Sequence, residues 1–179
     1  TQGMSTGLAS LGRTFSPALT ALRALRDEAL RQFQKNPDEK GVAFEIAILN
    51  ERLGEGRLTV ALHDALPPDS SSSLRQSFSS IAYDAFVEAR RYREALLGKS
   101  YGNMLNELEN DLRNLGENKV VQTQARDFLL RRNATNIEVL AGAGRIEEAR
   151  AFAEKLLAID SSPSTRALIQ QNMERAGHP

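Results

Sequence analysis

Two short stretches of the chain have the residue types of a phosphate cradle. Gly142-Ala143-Gly144 runs into an apolar helical stripe, as a dinucleotide loop does. Such a loop needs a further glycine at position 147, where Glu147 stands, and a strand before it, where a helical pattern stands. Gly98-Lys99-Ser100 imitates the end of a P-loop, whose first glycine would fall at position 93, which is Arg93. Gly142-Ala143-Gly144 is therefore predicted to be a corner between two helices. His63 sits beside Asp64 without a second histidine at a four-residue spacing, so no shared metal site is expected and a surface or half-buried helix position is. The other histidine, His178, lies in the tail. Glu107/Asp111 and Glu147/Glu148 have no metal or perturbing neighbour and are read as solvated helix faces. Asn133-Ala134-Thr135 matches a glycosylation sequon, but Thr135 is better explained as a helix cap. No Gly-x-Ser-x-Gly elbow occurs, and without cysteine there is no thiolate nucleophile, disulfide or iron–sulfur site. The expectation is a non-enzymatic chain that uses no cofactor and no metal.

Composition narrows the partners. Lys+Arg and Asp+Glu both count 23 in 179 residues, so the net charge is zero. A zero balance removes the long-range attraction that nucleic acid or an anionic membrane exerts on a basic protein. No apolar run is long enough to span a bilayer. The expected partner is another protein or peptide, with no nucleic acid and no membrane span. Residues 1–14, rich in Gly, Ser and Thr, are predicted to be a linker, left by removal of a signal sequence, an anchor or a domain, or by a tag. Either a cytoplasmic or, after such removal, a periplasmic setting fits. Residues 15–179 are predicted to form one helical-repeat domain.

What must position any site is a set of short helices. Val42, Ile46, Leu49 and Leu53 form one helical stripe, and Leu74, Phe78, Ile81, Ala82, Ala85, Phe86 and Ala89 another. Tyr101, Leu105, Leu108, Leu112 and Leu115 form a short heptad seam. Val121, Ala125, Phe128 and Leu129 continue the pattern, as do Ile146, Ala149, Ala153, Leu156 and Leu157. Ser16-Pro17, Asn36-Pro37 and Ser162-Pro163 look like helix starts. Ser73 with Gln76 and Thr135 with Glu138 have capping-box spacing. Gly54, Gly98, Gly116 and Gly177 stand where helices should stop. About ten helices and no sheet are expected.

Three hexapeptides then share a pattern: Gly56-Arg57-Leu58-Thr59-Val60-Ala61, Arg90-Arg91-Tyr92-Arg93-Glu94-Ala95 and Gly144-Arg145-Ile146-Glu147-Glu148-Ala149. Ala61 and Ala95 are 34 residues apart, and Ala149 follows 54 later. Asn118–Thr123 reads as a degraded copy. The small-residue and corner positions, over about residues 38–160, resemble a divergent tetratricopeptide repeat, whose unit is a helix–turn–helix of 34 residues. The aromatic and Leu-Gly residues of that repeat's first helix are mostly absent. On this pattern Ala61, Ala95 and Ala149 face the partner helix, and Leu58, Tyr92 and Ile146 plug the space under the turn.

The resemblance implies an all-α fold of antiparallel hairpins stacked into a short right-handed superhelix, a tetratricopeptide-like α-solenoid, whose concave face holds a peptide segment. Ser77, Ser80, Asp84 and Glu88 lie on one polar stripe of a helix over 73–89. Counting eleven residues back from each alanine gives Asn50, Asp84 and Glu138 as successive rungs of that face. The leading expectation is a protein–protein interaction scaffold. The alternatives are self-association as a homodimer through the Tyr101–Leu115 seam, or an accessory domain of a larger protein.

Overall fold

The computed structural model describes residues 16–37, 39–68, 70–114 and 119–178. They form ten α-helices, and no strand occurs among them. The predicted linker over residues 1–14, Leu115, Gly116 and Asn118 lie outside the described residues. Contacts divide the chain into two compact units, Thr1–Gly98 and Lys99–Pro179.

The first unit holds α1 (Ser16–Lys35), α2 (Lys40–Arg52), α3 (Gly56–Asp64), α4 (Ser72–Ile81), α5 (Tyr83–Glu88) and α6 (Tyr92–Gly98). Its core joins Ala29 and Phe33 of α1, Val42, Ala43, Ile46 and Ala47 of α2, Leu66, and Leu74 and Phe78 of α4. Phe33 and Phe78 meet edge-on with centroids 6.3 Å apart. Helix α2 packs on α1, α3 and α4; α3 packs on α5, and α6 on α4 and α5. The second unit holds α7 (Tyr101–Arg113), α8 (Lys119–Gly142), α9 (Ile146–Ile159) and α10 (Pro163–Arg175). Here α8 is central and packs on α7, α9 and α10.

The corners share one geometry. After α2, α5, α8 and α10, the second residue past the helix is left-handed: Gly54 at φ 71°, Arg90 at 56°, Gly144 at 84° and Gly177 at 85°. Each of these residues donates its amide to the carbonyl three back, at 2.9 Å in all four corners. The next amide donates to the carbonyl five back, in Glu55→Asn50, Arg91→Phe86, Arg145→Leu140 and His178→Met173. This pair of bonds satisfies carbonyls that a helix end would otherwise leave orphaned. In the first three corners a new helix starts two residues after the left-handed one.

That geometry corrects the register of the first hexapeptide. The turning residue there is Gly54, not Gly56, so the step to the next corner is 90 − 54 = 36 residues rather than 34. The buried small residues five past each turn are Thr59, Ala95 and Ala149. Ala61 is exposed, and Leu58 is 42% exposed and plugs nothing. Gly56 instead serves packing, since a Cβ on it would stand 3.0 Å from Ala85 Cβ on α5.

Thr59 has a polar counterpart nine residues back. Asn50 Nδ2 donates to Thr59 Oγ1 at 3.1 Å, both residues being 1% exposed. The same two places hold Phe86/Ala95 and Leu140/Ala149 in the other hairpins. Thr59→Ala is expected to cost about 1–3 kcal/mol, because it leaves a buried amide without its partner. Adding Asn50→Leu, which recreates the Leu140/Ala149 pair, should recover most of that loss. Urea denaturation of both single variants and the double variant measures the coupling. Additive losses would show that the two side chains do not act as a pair.

Several helix boundaries also differ from expectation. Asn36 and Pro37 belong to a turn closed by Glu39 N–H donating to Asn36 C=O at 3.2 Å, and the residue before α2 is Glu39. The cap of α4 is Ser71, whose hydroxyl accepts from Leu74 N–H, so Ser73 lies inside the helix. Helix α8 runs unbroken through Thr135, which caps nothing, and its first turn takes up residues 119–123 of the degraded copy. Ser162-Pro163 does start α10, with the Ser162 hydroxyl accepting from Thr165 N–H.

The expected helix over 73–89 is two helices separated at Ala82. Ser77 and Ser80 donate their hydroxyls to the carbonyls of Ser73 and Gln76, four residues back, at 2.8 and 2.9 Å. Such back-bonding tilts carbonyls away from the helix axis and bends a helix.

Candidate interaction surface

The six residues expected to line a groove have different fates. Asn50 and Glu138 are each 1% exposed, which removes them from any surface a partner could touch. Asn50 is held under the first corner by Thr59, and Glu138 lies beside Arg175 of α10, with Nε 3.3 Å from Oε2. Glu138 is buried because α8 is covered on several sides over 133–141, where Ala134, Ile137, Val139, Leu140 and Ala141 are fully enclosed. A helix surrounded in this way has no amphipathic stripe, so counting along one face misplaces its polar residues.

Ser77 is half-buried and Ser80 exposed, and both hydroxyls are used within the chain. Ser80 Oγ also lies 3.0 Å from the carbonyl oxygen of Gly98, tying α4 to the end of α6. Asp84 and Glu88 are exposed on α5, beyond the separation at Ala82. The structure therefore keeps Ser80, Asp84 and Glu88 on the surface, on two helices instead of one.

Both phosphate look-alikes are occupied by structure. The amides of Ala143, Gly144 and Arg145 donate to the carbonyls of Val139, Ala141 and Leu140, so none is left for an anion. In the second stretch Lys99 Nζ is 2.6 Å from Glu107, and Ser100 caps α7 by accepting from Asn103 N–H. Gly98 is a contact point: a Cβ there would fall 2.3 Å from Ser79 C and Ser80 N.

The carboxylates act as clamps. Arg132 bridges Glu107 at 3.2 Å and Asp111 at 3.5 Å, joining α8 to α7, and Asn133 Nδ2 lies 3.3 Å from Asp111. Glu55, at the first corner, is paired with Arg23 and Arg26 of α1. Burial alone would raise its carboxyl pKa, but the two guanidiniums outweigh it and hold it below the ordinary range. The Tyr101–Leu115 seam is partly spent inside the second unit. Tyr101 meets Phe152 of α9 edge-on at 6.4 Å, and Met104 and Leu108 are buried. In the neighbouring stripe Leu129 is buried while Ala125 is exposed and Phe128 is 57% exposed.

His63 is a core residue, not a surface one. It is 5% exposed, edge-on to Phe78 and Phe86 at 6.5 and 5.1 Å, with Asp64 Oδ1 3.5 Å from Nδ1. Burial lowers its pKa below the usual imidazole value. Arg91 crosses the Phe86 ring at 5.4 Å and bonds Asp64 and Glu94. Sequence reasoning overlooked this cluster because its members come from α3, α4, α5 and the corner before α6.

Among the described residues no group of three His, Asp or Glu side chains gathers as a metal site, and no helix is long and apolar enough to cross a membrane. Comparison with protein-family models, curated proteins and solved structures yields no match.

Proposed function

We propose that the chain is a non-enzymatic interaction scaffold. Its hairpins stack in the manner of tetratricopeptide repeats and hold a segment of another protein along the exposed edge of α4 and α5. Repetition carries this reading: three hairpins turn through the same corner, each locked by a buried side chain five residues on. Within each unit the first helix of one hairpin packs on the next such helix, α2 on α4 and α8 on α10. Repeats that bury their cores against neighbours leave continuous faces free for a partner. Asp84 and Glu88 supply hydrogen-bond acceptors on that edge.

Affinity capture with the native chain and with the double variant Asp84→Ala/Glu88→Ala tests the reading. Ser80 is left intact because its hydroxyl holds α4 to α6. A protein retained by the native chain and lost by the variant, with unchanged helicity and melting, is the expected result. A folded variant that holds the same partner, or a native chain that holds none, would overturn it.

A further inference from the structure

Of the four left-handed corner positions among the described residues, three are glycine and one is Arg90. A side chain at positive φ crowds its own backbone, and glycine relieves that strain. Backbone geometry therefore does not account for arginine at this place. Contacts of the side chain do not either, because Arg90 is exposed and its guanidinium forms no ion pair or hydrogen bond with the described residues. Its neighbour shows the contrast. Arg91 is fixed by Asp64, by Glu94 at 3.0 Å and by the face of Phe86. Arg93, on the first turn of α6, is exposed and also forms no ion pair with the described residues. Asp64 and Glu94, the acids of this corner that the structure pairs, are both taken by Arg91.

We propose that the α5–α6 corner is the carboxylate-binding point of the scaffold, where Arg90 and Arg93 receive two acidic side chains of an extended partner segment. The proposal rests on the scaffold reading and adds the partner's chemistry. Guanidinium is the side chain whose planar fork matches a carboxylate with two parallel hydrogen bonds. The two arginine Cα atoms lie at most about 11 Å apart, three residues of chain. Alternate residues on one face of an extended segment stand about 7 Å apart. Two acids separated by one residue would therefore reach both guanidiniums. With zero net charge, affinity for an acidic segment has to come from a local arrangement of this kind.

Fluorescence anisotropy with fluorescein-labelled octaglutamate at low ionic strength, paired with thermal melting, provides the test. The native chain binds the peptide. Arg90→Gly raises the melting midpoint while weakening binding roughly tenfold, the loss of one charge-assisted contact. Arg93→Gln weakens binding by a similar factor and leaves the midpoint unchanged. Arg57→Gln and Arg131→Gln, which alter exposed arginines elsewhere, keep native affinity. The proposal is overturned if the native chain does not bind octaglutamate, or if either corner variant binds as tightly as native. It is equally overturned if Arg90→Gly lowers the midpoint, or if the two control variants lose as much affinity. The capture experiment with Asp84→Ala/Glu88→Ala is independent of every one of these outcomes, so the scaffold reading stands or falls separately.

Discussion

Gly98→Ala is expected to remove most of the stability of the first unit. A Cβ at position 98 would lie 2.3 Å from Ser79 C and Ser80 N and 2.4 Å from Ser79 O, all backbone atoms of α4. Overfilling a packed interior costs about 1–3 kcal/mol where side chains can move aside. Backbone inside a helix cannot move aside alone, so α4 and α6 must separate. The contact of the Ser80 hydroxyl with the Gly98 carbonyl then goes with them. A loss of about 3 kcal/mol or more is a large share of what holds a domain of this size. Chemical denaturation followed by circular dichroism measures it. Gly41→Ala is the matched control, because nothing lies within 4 Å of its Cβ position. There the only change is the reduced backbone freedom of the unfolded chain, a gain of about 0.5 kcal/mol. If Gly98→Ala were as harmless as Gly41→Ala, α4 and α6 would not approach at backbone contact.

Acidification is expected to weaken the same unit in a window set by His63. Burial holds its pKa below the ordinary imidazole value of 6.5, and the nearby Arg91 and Arg75 guanidiniums push the same way. Only the half-exposed Asp64 favours the charged ring. Above about 6.5 the imidazole is neutral whether the chain is folded or not, and it contributes no pH dependence. As pH falls below that value the unfolded chain takes up a proton that the folded chain refuses, so stability drops. The drop ends once pH passes below the folded pKa. Carboxylates act in a different window. Asp64, held low mainly by its hydrogen bond from Arg91, and Glu55, held low by Arg23 and Arg26 against burial, keep their contribution until pH falls below their ordinary values of 3.8 and 4.5. Between 6.5 and 4.5 the change therefore reports on His63. Hydrogen exchange of α3 and α4 amides across this range should show faster opening as pH falls, after correction for intrinsic exchange. His63→Leu should abolish that trend. A flat profile in the native chain would mean that the ring is protonated in place or reaches solvent.

Features that depend on reach along the chain are legible in the residues alone. Helical period without alternation excluded a sheet, and the described residues are helical throughout apart from their connections. Gly54, Gly144 and Gly177 mark three corners because a left-handed turn and its cap bonds involve residues at most five apart. Ser162-Pro163 starts α10 for the same reason, a hydroxyl that reaches an amide three residues on. Glu147, standing where a dinucleotide loop needs glycine, and the helical pattern where it needs a strand together dismiss the phosphate reading of Gly142-Ala143-Gly144.

Features that depend on a second helix are set by packing. Gly98 looks in sequence like a stop signal, but its lack of a side chain serves the approach of α4. Ala61 and Thr59 are two residues apart on one short helix, and only the position of Gly54 in the corner shows that Thr59 faces inward. Glu138 and Asn50 read as surface polar residues because periodicity describes one buried face, whereas burial depends on how many neighbours a helix has. A helix enclosed by three others loses its stripe, and its polar side chains must then find partners inside, as Asn133 finds Asp111 and Glu138 lies by Arg175.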